Sequence, residues 1–130
     1  MLNKSVLIAE NNGIISLDLK LLLKKYNILC EIVSTSVALV ERTRILKPDL
    51  IITDYDLDGR EQLKDALREI SKDYHIPIII IASTLRPGVE AFSKTILSCS
   101  VLTEPFDIDE LLPLIQKYIF LEPKRSYIQG

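Results

Sequence analysis

Residues 49 to 59 read DLIITDYDLDG, and the fold class follows from what this stretch becomes. Leu50, Ile51, Ile52 and Thr53 run straight into Asp54. A short apolar and β-branched run stopped by polar residues reads as a strand buried on both faces. In an open parallel sheet, ligands sit just beyond the carboxyl ends of the strands. Asp54 falls at that edge and is the candidate working residue, with Asp56, Asp58 and Gly59 in the polar loop behind it. Taken alone, the segment supports equally an Asp54 that only ends a strand or caps the next helix.

The flanking chain repeats the pattern. Upstream, Ser5 to Ala9 (SVLIA) is a first strand that ends in the loop Glu10 to Gly13. Ile15, Leu19, Leu22 and Tyr26 recur at helical spacing, and Asn27 breaks that helix. Ile28 to Val33 is a second strand. A helix carrying Val37, Val40, Ile45 and Leu46 follows, capped by Ser34 or Ser36 and ended by Pro48. Downstream, Leu63, Ala66, Leu67 and Ile70 mark a helix from about Arg60 to Asp73. His75-Ile76-Pro77 is a turn, and Ile78 to Ile81 is a strand suited to the centre of a parallel sheet. Residues 89 to 98 read weakly as a helix, and Val101 to Thr103 as a short fifth strand. Asp107 and Glu110 form a capping box ahead of a helix with Ile108, Leu111, Leu112, Ile115 and Ile119 on one face. Pro113 fits that helix if it starts near Asp109, because proline is accepted in a first turn. Residues 1–120 form the domain, and 121–130 read as a tail or linker stub. Strict β-α alternation with right-handed crossovers predicts an α/β sandwich of helices around a parallel sheet.

Composition narrows the function. The chain has 130 residues, 48% hydrophobic and 26% charged, which is enough for one domain with a true core. The net charge is −2 and no basic run exists, so no nucleic-acid footprint is expected. The apolar run Ile76 to Ala82 is far short of the roughly 20 residues that span a bilayer, and no signal-like segment opens the chain. No membrane partner is expected, and the expected location is cytoplasmic. Cys30 and Cys99 stand apart and outside any CxxC pair, so they read as packing residues. His75 has no catalytic partner near it in sequence.

The strand ends gather the polar residues. Glu10 and Asn11 end the first strand, Asp54 the third, Ala82, Ser83 and Thr84 the fourth, and Thr103, Glu104 and Pro105 the fifth. All four loops open on one edge of the sheet. Glu10 and Asp54 then face each other, and two close carboxylates favour a cation between them. With carbonyls and waters that makes an oxygen-ligand Mg²⁺ site, beside which a carboxylate can accept a phosphoryl group. The plain alternative is an acidic rim that only solvates the sheet edge.

These residues resemble the receiver domain of two-component response regulators (CheY-like) over about residues 4 to 120. The resemblance rests on VLIAENNGI (6–14), KPDLIITDYDL (47–57), IPIIIIAS (76–83) and EPFDIDELL (104–112), in the family's order and spacing. It implies a (βα)5 flavodoxin-like three-layer sandwich with strand order 2-1-3-4-5. It also implies a phosphoryl group passed, with Mg²⁺, from a kinase histidine to an aspartate. Asp54 aligns with that acceptor, Glu10 with the first acid of the metal pair, and Asp56 with the position whose carbonyl completes the metal shell.

The departures from the family are specific. Asn11 stands where the second acid is expected, and it costs the site a charge. Ala82 stands where a Ser or Thr hydroxyl is expected, and Ser83, one residue on, should face the other side of the sheet. Glu104 stands where a Lys precedes Pro105, which is a reversal of charge. Val101 stands in place of an aromatic. The expectation is therefore a receiver with an atypical, weakened phosphorylation site. Glu10, Asp54 and Glu104 could alternatively form a three-carboxylate cluster that binds a divalent ion or shares a proton. Three functions compete. One is a phosphorelay switch served by a sensor histidine kinase or phosphotransfer protein. The second is a phosphate-independent docking or homodimerisation module acting through the last two helices and the fifth strand. The third, a nucleotide binder or small enzyme, lacks a Gly-rich phosphate loop, since Glu-Asn-Asn-Gly has a single glycine.

Overall fold

The computed structural model describes residues 3–83 and 88–119; Thr84, and the tail or linker stub expected at 121–130, lie outside the described residues. In chain order the elements are β1 (Ser5–Ala9), α1 (Gly13–Lys25), β2 (Leu29–Val33), α2 (Ser36–Leu46) and β3 (Leu50–Asp54). They continue with α3 (Arg60–Tyr74), β4 (Ile78–Ser83), α4 (Val89–Ser93), β5 (Cys99–Glu104) and α5 (Ile108–Tyr118). The five strands are all parallel, in the order β2-β1-β3-β4-β5. This is the (βα)5 flavodoxin-like architecture expected from the alternation and the resemblance.

Alternation along the strands builds two cores, because successive side chains point to opposite faces. Leu7, Ala9, Ile51, Ile78, Ile80 and Ala82 pack beneath Leu39 of α2, Leu63, Leu67 and Ile70 of α3, and Phe92 of α4. Val6, Ile8, Leu50, Ile52, Ile79 and Ile81 pack beneath Leu19, Leu22 and Leu23 of α1 and Leu111, Ile115 and Ile119 of α5. Burial on both faces explains the unbroken isoleucine run of β4. Both thiols sit in partly apolar surroundings, and burial pushes Cys30 up to about 11 and Cys99 up to about 12.

Several local expectations are corrected. The α2 N-cap is Thr35, whose side chain accepts from Ala38 N–H at 3.1 Å, and not Ser34 or Ser36. Its inward residues are Ser36, Leu39 and Thr43, while Val37, Ile45 and Leu46 are exposed. The segment SVALVERTRIL has apolar residues on every side, so periodicity alone chose the wrong face. α4 stops at Ser93, and residues up to Ile96 continue as tight turns through Thr95 N–H to Phe92 O and Ile96 N–H to Ser93 O. β5 is longer than expected because every residue from Cys99 to Glu104 pairs with β4. α5 begins at Ile108, so Pro113 lies in its second turn and removes one helical hydrogen bond. The Asp107–Glu110 capping box forms, with Glu110 Oε1 accepting from Asp107 N–H at 3.1 Å.

Candidate functional site

The register of the sheet places the acids side by side. Ala9 is opposite Thr53, so Glu10 and Asp54 leave adjacent strands at the same level. Glu10 is only 5% exposed. Its backbone N–H bonds to Val33 O at 3.0 Å, and its Oε2 accepts from Asn12 N–H at 3.1 Å. Burial above all, opposed by the Asn12 hydrogen bond and aided by the Asp54 and Glu104 charges, raises its carboxyl from 4.5 to about 7. Asp54 and Glu104 thus both act on the Glu10 carboxyl. Among the described residues no group of three or more His, Cys, Asp or Glu side chains is arranged to hold a metal ion, so they do not form a metal cage.

Asp54 is the last residue of β3, opposite Ile81. Its Oδ1 accepts from Asp56 N–H at 3.1 Å, a local turn that folds the loop back over the strand end. Tyr55 N–H reaches Ile81 O at 2.9 Å and extends the ladder by one bond. The Asp56 carboxylate is 3.7 Å from the Arg60 guanidinium.

The loop after Asp54 is fastened at two further points. Asn11 donates its side-chain N–H to Leu57 O. An ionised aspartate could not do this, since a carboxylate only accepts. Asp58 accepts two hydrogen bonds from Ser36, at 2.7 Å from its backbone N–H and at 2.6 Å from its hydroxyl. The start of α2 is thereby tied to the loop after Asp54. The partner of Asp58 is 22 positions away, so no spacing rule in the sequence connects them. Asn12 was an unassigned loop residue. It is the N-cap of α1, accepting from Ile14 and Ile15 N–H at 3.0 and 3.2 Å.

The other predicted positions fall as the strands dictate. Ala82 is buried opposite Thr103 and packs with the α3 and α4 side of the sheet. Ser83 is opposite Glu104, one step along, and so faces the other way. Val101 packs against the same core as Ala82. Glu104 and Pro105 line a groove between α1 and α5, and the peptide between them is cis. The donors expected for a divalent ion are the Glu10 and Asp54 carboxylates, the Asn11 amide oxygen and the Asp56 carbonyl. All are hard oxygen donors of the kind Mg²⁺ prefers. Among the described residues no helix is long and apolar enough to cross a membrane.

No family model matches the chain. It is 30% identical over 115 residues to the transcriptional regulatory protein PdtaR of Mycobacterium tuberculosis, covering 87% of this chain and 55% of that protein. The chain thus spans about half the length of the curated relatives it matches. Among solved structures it is similar to the receiver domain of the sensor histidine kinase PA1611 from Pseudomonas aeruginosa, with a TM-score of 0.75, 18% identity, and coverage of 90% of this chain and 98% of that one. That receiver holds a magnesium ion in its active-site cleft. The N-terminal domain of the nisin resistance regulator NsrR matches with a TM-score of 0.77, 22% identity, and coverage of 88% of this chain and 97% of that one. The chain has the fold of response regulator receiver domains.

Proposed function

We propose that this chain is the cytoplasmic receiver of a two-component phosphorelay and that Asp54 accepts the phosphoryl group, with an efficiency lowered by its neighbours. The observation that carries this reading is the placement of Asp54 beside the buried Glu10 at the carboxyl edge of adjacent central strands. The donor is a phosphohistidine of a sensor kinase or phosphotransfer protein. An Asp54 oxygen forms the new bond to phosphorus while the phosphorus–nitrogen bond breaks and its electron pair leaves with the imidazole. Glu10, Asn11, Asp54 and the Asp56 carbonyl would hold Mg²⁺, which supplies neutralising charge during transfer. Asp56 and Asn11 keep the loop in place through their bonds to Asp54 and Leu57.

The same neighbours support lower efficiency. Asn11 gives the metal one charge fewer. Ala82 offers a methyl group where a hydroxyl would bind a phosphoryl oxygen. Glu104 would repel the phosphoryl dianion by on the order of a few kcal/mol at contact distance, less where solvent screens it. These residues also favour a second reading, an interaction module that works without phosphate. A backbone amide NMR titration with Mg²⁺ and beryllofluoride separates the two. Under the first reading, shifts centre on Glu10, Asp54 and Ala82 and vanish in Asp54→Asn. No shift at millimolar ligand removes the first reading and leaves the second.

A further inference from the structure

We infer that the guanidinium of Arg60 binds the phosphoryl group on Asp54, as the cation that Glu104 does not supply. The inference rests on the phosphoryl reading of Asp54 and adds to it the side chain that holds the transferred group. A phosphoryl dianion at this edge of the sheet meets Glu10, Asp54, Asp56 and Glu104, all of them acids. Protein sites hold such a group with Arg, Lys or metal charge directed at its oxygens. Among the described residues, Arg60 is the cation paired with a carboxylate of the loop after Asp54. Two links lead to it from the acceptor. Asp54 Oδ1 accepts from Asp56 N–H at 3.1 Å, and the carboxylate of the same Asp56 faces Arg60 at 3.7 Å.

Arg60 opens α3, so it stands at the carboxyl edge of the sheet, where β3 ends. The Tyr55 ring seats its guanidinium at 5.7 Å, and Tyr55 belongs to the α3 and α4 side of the molecule. Glu104 instead lines the groove between α1 and α5. The two therefore approach the acceptor from opposite sides of the sheet, and Arg60 is not occupied in neutralising Glu104. The next cations along α3 are placed differently. Lys64 and Arg68, one and two turns further from the edge, lie over the Phe92 ring and pair with Glu61 and Asp65. Arg60 is held more loosely than a hydrogen bond would hold it, since 3.7 Å exceeds hydrogen-bonding distance. Its side chain is 45% exposed, so it can turn from Asp56 to a neighbouring anion. A dianion attracts it more strongly than a carboxylate does, and its planar fork can take two phosphoryl oxygens at once.

Titration of the full chain with beryllofluoride at saturating Mg²⁺, followed by amide NMR, tests the inference beside calorimetry with Mg²⁺ alone. Arg60→Gln should weaken beryllofluoride binding about tenfold, as expected for the loss of one charge-assisted hydrogen bond. The same variant should bind Mg²⁺ as well as wild type or more tightly, because a positive charge near the metal has gone. A residue that only kept the loop in shape would weaken both ligands. In the Glu104→Lys background, where the missing cation is restored, Arg60→Gln should weaken beryllofluoride by about threefold or less. A wild-type chain that does not bind beryllofluoride overturns the phosphoryl reading and this inference with it. Wild-type binding that Arg60→Gln leaves unchanged overturns this inference alone. So does a variant that loses Mg²⁺ and beryllofluoride alike, or a loss of equal size in the two backgrounds.

Discussion

Replacing Glu10 by Gln should make the protein more stable at high pH and leave it nearly unchanged at low pH. Glu10 is buried at the strand ends, and its carboxyl is pushed from 4.5 to about 7 by that burial and by the negative charges of Asp54 and Glu104. Between those two values the folded chain holds a proton that the unfolded chain has released. Stability contributed by this group is therefore complete below pH 4.5 and is lost as pH rises to about 7. At about 1.36 kcal/mol per pH unit, the interval corresponds to roughly 3 kcal/mol. Gln has the same shape, and its amide oxygen can still accept from Asn12 N–H, so the variant keeps the local bond without the titration. Urea unfolding in the presence of a chelator, at intervals from about pH 5 to about pH 8, reads the difference directly. Every other group is common to both proteins, so the comparison isolates Glu10. The variant should match wild type near pH 5 and exceed it by up to about 3 kcal/mol near pH 8, a gap that Mg²⁺ narrows by stabilising wild type. Parallel stability curves for the two proteins would refute the claim that a strained, buried carboxyl sits at this edge.

Glu104→Lys should raise the rate of Asp54 labelling by a small phosphodonor about tenfold, from repulsion removed and attraction gained; an unchanged rate refutes the charge-reversal argument. Asn11→Asp should tighten Mg²⁺ binding about tenfold by calorimetry, because a neutral donor becomes a charged one. Without metal the same variant should lose about 1 kcal/mol, since the Leu57 carbonyl loses its donor. Asp58→Ala should lower stability by about 1 to 3 kcal/mol in urea unfolding, for the two short bonds from Ser36; a loss too small to measure would mean the tie between α2 and the acceptor loop holds nothing.

What the sequence made legible divides along the range of the interactions concerned. β1, β3 and β4 were readable because strands buried on both faces are nearly pure Leu, Ile and Val, and β3 ends where its first acid appears. α3 was readable because Leu63, Ala66, Leu67 and Ile70 stand against charged residues on the other side. α2 offered no such contrast, so its inward face was decided by packing under Leu39 rather than by pattern. The full length of β5 depends on pairing with β4, which no local signal announces. At the site, Glu10 and Asp54 were legible from their place after apolar runs. The donor role of Asn11 and the Asp58–Ser36 tie were not, since each depends on loops brought together from far apart.

The same distinction bears on how a signal could leave the site. In the receivers that this chain resembles, a hydroxyl on the fourth strand and an aromatic on the fifth connect the acceptor to the fourth helix; here Ala82 and Val101 stand at those places. The contacts that join the loop after Asp54 to α4 begin at Tyr55. Tyr55 is fully buried, and its ring lies 6.5 Å from that of Phe92 in α4. The Arg60 guanidinium sits 5.7 Å from the centre of the Tyr55 ring and within 3.7 Å of the Asp56 carboxylate. Lys64 and Arg68 lie over the Phe92 ring at 5.6 and 5.3 Å. Close-packed rings do not move independently of their neighbours. A change at Asp54 that displaced Asp56 would reach Arg60 and, through Tyr55 and Phe92, α4, within the same core that holds Ala82 and Val101. Tyr55→Leu should then loosen the packing of α4 against the loop, read as faster amide exchange in α4, whereas unchanged exchange would mean that the ring contact couples nothing.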